Sequence, residues 1–107
     1  MKELYEKFYE RDGLKKVRDV LDGGDQAKVV DMVTSESSDF TDYLNFFEFL
    51  AYLLKSKQIN REEVNGLFDY YLKNLKQEKN KDVAEYIAKP QNGFEQLQEL
   101  LGAIKEE

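Results

Sequence analysis

The segment Phe40-Thr41-Asp42-Tyr43-Leu44-Asn45-Phe46-Phe47-Glu48-Phe49-Leu50-Ala51-Tyr52-Leu53-Leu54 decides the fold. Eleven of its fifteen residues are apolar or aromatic. Its polar positions run Thr41, Asn45, Glu48, Tyr52 and then Lys55, in steps of four and three that keep them on one side of a helix. Most of the rest of the circumference is apolar. Such a helix belongs in the middle of a protein, wrapped by others. Phe47 and Leu50, which face away from the polar line, are expected to be buried.

Working outward, the flanking sequence repeats the helical period. Leu4, Tyr5, Phe8 and Tyr9 mark one face of a short first helix, with Asp12-Gly13 as its punctuation. Leu14, Val17, Val20 and Leu21 continue a stripe that Gly23-Gly24 closes, and Asp25 is a fitting N-cap for a helix carrying Val29, Val30 and Val33 inward. Ser38 or Asp39 is placed to cap the central helix, which should run over about 39–56. Asn60-Arg-Glu-Glu63 is a capping signal, and Val64, Leu67, Phe68, Tyr71, Leu72 and Leu75 form the stripe of the helix it opens. Lys76-Gln-Glu-Lys-Asn80 reads as a polar surface loop. Val83, Tyr86 and Ile87 belong to a short helix ending before Pro90. Asn92-Gly-Phe-Glu95 repeats the capping pattern ahead of Phe94, Leu97, Leu100, Leu101 and Ile104. The expectation is all-α: one helical domain over 1–107, a compact irregular or orthogonal bundle of six or seven helices around the central one.

Composition narrows the chemistry. The chain has 107 residues, 41% apolar and 36% charged, with seven Tyr and seven Phe to build a core. Its net charge of −6 comes from 22 acidic and 16 basic side chains, interleaved in sign. Nucleic-acid binding through phosphates needs a basic patch; the densest cationic stretch, Lys73 to Lys81, is broken by Glu78. Cys and His are both absent. That removes disulfides, thiolate nucleophiles, the imidazole base and the usual Zn²⁺ ligands. The charged opening Met1-Lys2-Glu3 is unlike a signal peptide, and the longest apolar run is far short of the ~20 residues that span a bilayer. A cytoplasmic chain with no cofactor, no metal, no catalytic residue, no nucleic-acid partner and no membrane contact is expected.

Asp22-Gly-Gly-Asp25 admits two readings, a cation or phosphate loop and a helix-to-helix turn. Counted as an EF-hand from Asp19, the third, fifth and twelfth positions are Leu21, Gly23 and Val30, which cannot serve. No Walker lysine follows. A C-cap glycine followed by an N-cap Asp accounts for the residues. Asn45 and Glu48 either contact a partner or anchor a neighbouring helix end, since polar groups in a packed setting find internal partners. Among the tyrosines, Tyr52 and Tyr70 lie off the apolar stripes, and Tyr5 and Tyr9 sit on the short first helix. Tyr5, Tyr9, Asn45, Glu48, Tyr52 and Tyr70 are therefore the candidate contacts to a protein partner or to a second copy in a homodimer.

Tyr43-Leu-Asn-Phe-Phe-Glu48, Ala51, Lys57-Gln-Ile-Asn60 and Phe68-Asp-Tyr-Tyr-Leu72 carry a resemblance. Over roughly residues 39–75 the chain resembles a bacterial and phage-associated family of small helical domains of unassigned function. In that family a Leu-Asn-x-x-Glu helix is followed by a short turn and a helix containing Phe-x-x-Tyr. Many members carry membrane segments before this region, and no such segment is present here. The resemblance implies a helical bundle, a structural weight on Asn45 and Glu48, and no catalytic residues. The functional expectation is a non-catalytic protein-interaction or regulatory module of bacterial or phage origin, for instance a phage-type inhibitor of a host or defence enzyme. A small carboxylate-based metal- or ligand-binding enzyme is the alternative, and an acidic nucleic-acid mimic is a third reading.

Overall fold

The computed structural model describes residues 2–104. Seven α-helices follow one another there: α1 Lys2–Glu10, α2 Asp12–Gly23, α3 Gln26–Ser35, α4 Ser38–Lys55, α5 Arg61–Lys76, α6 Lys81–Ala88 and α7 Glu95–Ala103. Two 3₁₀ turns, Glu78–Asn80 and Pro90–Asn92, precede α6 and α7. No strand occurs among the described residues. None of these helices is long and apolar enough to cross a membrane. The radius of gyration is 13.0 Å, that of a compactly folded chain of about this length.

α4 is the central element, lying most extensively against α7 and α2. Phe40, Tyr43, Leu44, Phe47, Leu50 and Ala51 are its buried residues, so its phase is the one the polar line implies. Its N-cap is Ser37, whose Oγ accepts from Phe40 N at 3.2 Å, not Ser38 or Asp39. Those two lie in the first turn, where Asp39 meets the positive end of the helix dipole.

Phe8, from the short α1, is fully buried at the hub of the aromatic core. Its ring centroid lies 5.7 Å from that of Tyr43, 5.2 Å from Phe46, 5.4 Å from Phe47, 5.5 Å from Phe68 and 5.0 Å from Tyr71. The pairs with Phe47, Phe68 and Tyr71 are edge-to-face and that with Phe46 is stacked, geometries that add to the burial itself. Above the hub sits Arg18, a charged residue only 8% exposed. It donates to Phe8 O at 2.8 Å, and its guanidinium lies 4.8 Å from the Phe8 ring and 4.5 Å from that of Tyr9. Cation–π stacking and a carbonyl thus stabilise it where no carboxylate among the described residues forms an ion pair with it. The Tyr43 hydroxyl is buried beside this charge without a hydrogen-bond partner, and burial pushes its phenol far above the ordinary value.

Several local expectations are corrected. α1 ends one residue ahead of Asp12-Gly13, which lie inside α2. Gly13 lies close to the Asp39 side chain there, and a Cβ at this position would overlap the Asp39 carboxylate unless that side chain moved. Val30 does not point inward but is 44% exposed; Val29 alone of its helix is fully covered, because only one narrow face of α3 meets the body. Lys76–Asn80 is not wholly a surface loop. Asn80 is fully buried, and its amide donates to Leu21 O at 3.2 Å and to Asn74 O at 2.9 Å, joining the ends of α2 and α5. α7 has no capping side chain of its own at Phe94.

Candidate functional site

The structure divides the candidate contact residues into two groups. Asn45, Glu48 and Tyr52 belong to the outer side of α4. Asn45 and Tyr52 are exposed, and Phe49, which the sequence pattern did not single out, is exposed with them. Phe49 is 50% and Tyr52 51% exposed. At ~100° per residue, Asn45, Phe49 and Tyr52 span about 60° of the helix circumference, a single strip. Neither Phe49 nor Tyr52 makes a ring contact or side-chain hydrogen bond among the described residues.

Glu48 borders this strip but is turned toward α7. Leu97 N donates to Glu48 Oε1 at 2.7 Å and Gln96 N to Glu48 Oε2 at 3.2 Å. Its half-buried carboxylate caps α7 from the neighbouring helix, satisfying first-turn amides that the chain leaves uncapped locally. The Lys55–Glu99 ion pair at 3.3 Å ties the same two helices further along.

Tyr5, Tyr9 and Tyr70 form the second group, joined through Tyr71, which the sequence assigned to the core stripe of α5. The Tyr5 and Tyr9 rings lie 4.7 Å apart, Tyr9 and Tyr71 6.1 Å, and Tyr70 and Tyr71 5.2 Å. The Tyr9 and Tyr71 hydroxyls are hydrogen-bonded. Hydrogen bonding with Tyr5 and then with Tyr71 holds the Tyr9 phenol below the ordinary value. Those two are correspondingly raised, Tyr5 by its hydrogen bond to Tyr9 and Tyr71 first by burial. Tyr70 donates to Asp22 Oδ1 at 2.5 Å, which raises its own phenol, and Asn74 Nδ2 reaches the same oxygen at 3.2 Å. These tyrosines pin α1, α2 and α5 together, and the hydroxyls of Tyr9, Tyr70 and Tyr71 are engaged within the chain, where that of Tyr52 on the α4 strip makes no hydrogen bond among the described residues.

The Asp22–Asp25 segment is a helix-to-helix turn. Gly24 has φ +72°, the left-handed region that favours glycine, and Asp25 Oδ1 accepts from Ala27 N at 3.1 Å and Lys28 N at 3.3 Å. The Asp22 carboxylate is engaged by Tyr70 and Asn74.

Two hollows bear on the enzyme reading. An open groove of about 350 Å³ between α4, the start of α5 and α7 is floored by Ala51, Leu54 and Leu100. Its one carboxylate, Glu99, is paired with Lys55. A second, of about 280 Å³, is lined by Arg11, Asp12, Gly13, Asp39 and Asp42. Asp12 and Asp39 there lie in the first turns of α2 and α4, a placement helix dipoles account for. Among the described residues no three acidic side chains converge as a set of metal ligands. Compared with known proteins, the chain matches no protein-family model, no curated protein and no solved structure.

Proposed function

We propose that this chain is a non-catalytic protein-interaction module, of the bacterial or phage regulatory type that its sequence resembles, and that it engages its partner through the Asn45–Phe49–Tyr52 strip of α4. One observation carries the reading: a Phe and a Tyr stand half-exposed and unpartnered, side by side, on the helix that otherwise supplies the centre of the core. Burying a Phe side chain contributes roughly 1.5–3 kcal/mol, and half of that is left unrealised at Phe49 in the isolated chain. Aromatic side chains are enriched at the centres of protein interfaces. The surrounding acidic, sign-interleaved surface keeps the chain soluble while leaving this strip open. Blocking a host or defence enzyme is the specific form of this role.

Affinity capture with three baits tests it: the wild-type chain, Phe49→Ser with Tyr52→Ser, and Tyr9→Ser with Tyr70→Ser. A partner held by wild type should be lost from the first variant and kept by the second, both baits being checked for native helicity. Loss only from the second would move the interface to α1 and α5. A partner retained equally by all three would refute a tyrosine- or Phe49-centred surface.

A further inference from the structure

α1 and α2 are close to being one helix. Arg11 alone separates them, with φ −75° and ψ 120°. Arg11 N donates to Lys7 O at 3.2 Å, and Lys15 N donates to Arg11 O at 3.0 Å. Both are helical i to i−4 bonds, and the φ of Arg11 is already near the helical value. Rotation about a single ψ angle would make Lys2–Gly23 continuous.

Local sequence contributes only weakly to the interruption: Asp12 and Gly13 just after it are poor helix formers, Gly by roughly 1 kcal/mol relative to Ala. Arg is a good helix former, neither Glu10 nor Arg11 is Gly or Pro, and the Arg11 side chain makes no capping hydrogen bond. Tertiary contacts impose the bend instead. Phe8 occupies the cage of Tyr43, Phe46, Phe47, Phe68 and Tyr71; Arg18 holds Phe8 O; Tyr9 is bonded to Tyr71. In a straight helix Phe8 and Arg18 would be separated by about 15 Å of axial rise, beyond the reach of that guanidinium.

We propose that α1 is an exchangeable element, and that a second copy of this chain is the partner of its cage. In the exchanged dimer Lys2–Gly23 is one helix in each copy, and each α1 delivers its Phe8 to the other copy's aromatic cage. The fit needs no new complementarity, because every contact α1 makes with α2, α4 and α5 is remade between copies. The bent hinge is replaced by continuous helix, so the equilibrium is set by concentration and by the geometry of Arg11. Conversion is slow, since Phe8 must leave the core before it can be exchanged. This dimer does not depend on the α4 strip, and its failure leaves the proposed function standing.

The test uses the full-length chain, concentrated, warmed to its unfolding midpoint and cooled, then examined by sedimentation velocity. A dimer that persists on dilution is expected. Because the chain has no Cys, Lys7→Cys with Asp19→Cys accepts a clean pair of spin labels, diluted into unlabelled protein. In the dimer their backbones should stand about 18 Å apart along one helix, and closer in the monomer. Two hinge variants complete the test. Asp12→Pro puts Pro at the first position of α2, after an Arg11 already in the extended region that suits a pre-proline residue, but does not fit the interior of a continuous helix, and should abolish the dimer. Arg11→Asp gives α2 a capping side chain and should lower the dimer association constant about tenfold or more. A chain that stays monomeric throughout overturns the proposal. So does a dimer whose label separation equals that of the monomer, or one that both hinge variants leave undiminished.

Discussion

Replacing Glu48 by Ala should loosen α7 without disturbing α4. α7 starts at Glu95 with Phe94 in the capping position and no side chain of its own to accept from the first-turn amides. Glu48 supplies both acceptors, at 2.7 Å and 3.2 Å. Loss of a helix cap costs about 0.5–2 kcal/mol, and loss of the charge opposite a partly buried helix N-terminus adds about 0.3–1 kcal/mol. The sum, about 1–3 kcal/mol, corresponds to a drop in Tm of roughly 4–12 °C for a chain of this size. Glu48→Gln keeps one carbonyl acceptor for Leu97 N and should lose about half as much. Thermal melts followed by far-UV circular dichroism read the magnitude. Amide exchange locates it, because Gln96 and Leu97 should lose protection while Phe47 and Leu50 keep theirs. A Glu48→Ala protein melting within about 2 °C of wild type would refute cross-helix capping. Equal losses in the Ala and Gln variants would show that side-chain packing, not the acceptor oxygens, is what matters.

Three further outcomes follow from local geometry. Lys57 closes α4 at φ +63°, with Gln58 N donating to Leu53 O at 2.9 Å and Lys57 N to Leu54 O at 3.1 Å, so Lys57→Gly should raise stability by about 0.5–1 kcal/mol in denaturant titration. Asn80→Ala should cost about 1–3 kcal/mol by the same assay, because it strands Leu21 O and Asn74 O in a buried setting. Tyr86 donates to Glu36 Oε1 at 2.7 Å, and that bond, with burial, raises its phenol to about 12. A raised acid favours the folded state below its unfolded value of about 10 and loses that contribution as pH climbs toward 12. Ultraviolet titration should therefore show several late-ionising phenols, Tyr43 and Tyr71 among them, and Tyr86→Phe should remove one of these, with a shallower fall in stability over that pH window.

How much of this was legible depends on where the physical cause lies. The phase of α4, the Asn60–Glu63 capping box and the Gly24–Asp25 turn follow from periodicity and capping chemistry, which act over four residues or fewer. Arg18 and Asn80 were not legible, because a charged and an amide side chain enter the interior only through partners ten and 59 residues away, Phe8 O and Leu21 O. The break at Arg11 was announced by Asp12-Gly13 but placed slightly late, whereas the left-handed Lys57 carries no Gly or Pro to announce it and is imposed by the tight connection between α4 and α5. Phe49 and Val30 show the opposite limit. An apolar residue at a helical position says that it can be buried, and whether a neighbour arrives to bury it is decided by packing elsewhere. The candidate site was legible in Asn45 and Tyr52 and missed at Phe49 for this reason, while Glu48 proved to be committed to α7.

Two phenylalanines separated by one residue test the account most directly, since the orientation of α4 underlies both the core and the proposed recognition strip. Phe47 is fully buried and Phe49 is 50% exposed. Thermal melting of Phe47→Ala and Phe49→Ala side by side should show a loss of roughly 3–5 kcal/mol for the first, a fall of about 12–20 °C or outright unfolding. The second, with only half of its side chain buried, should lose about 1 kcal/mol. Equal losses, or a Phe47→Ala protein that melts like wild type, would contradict the phase of α4 and with it the assignment of its outer face to a partner.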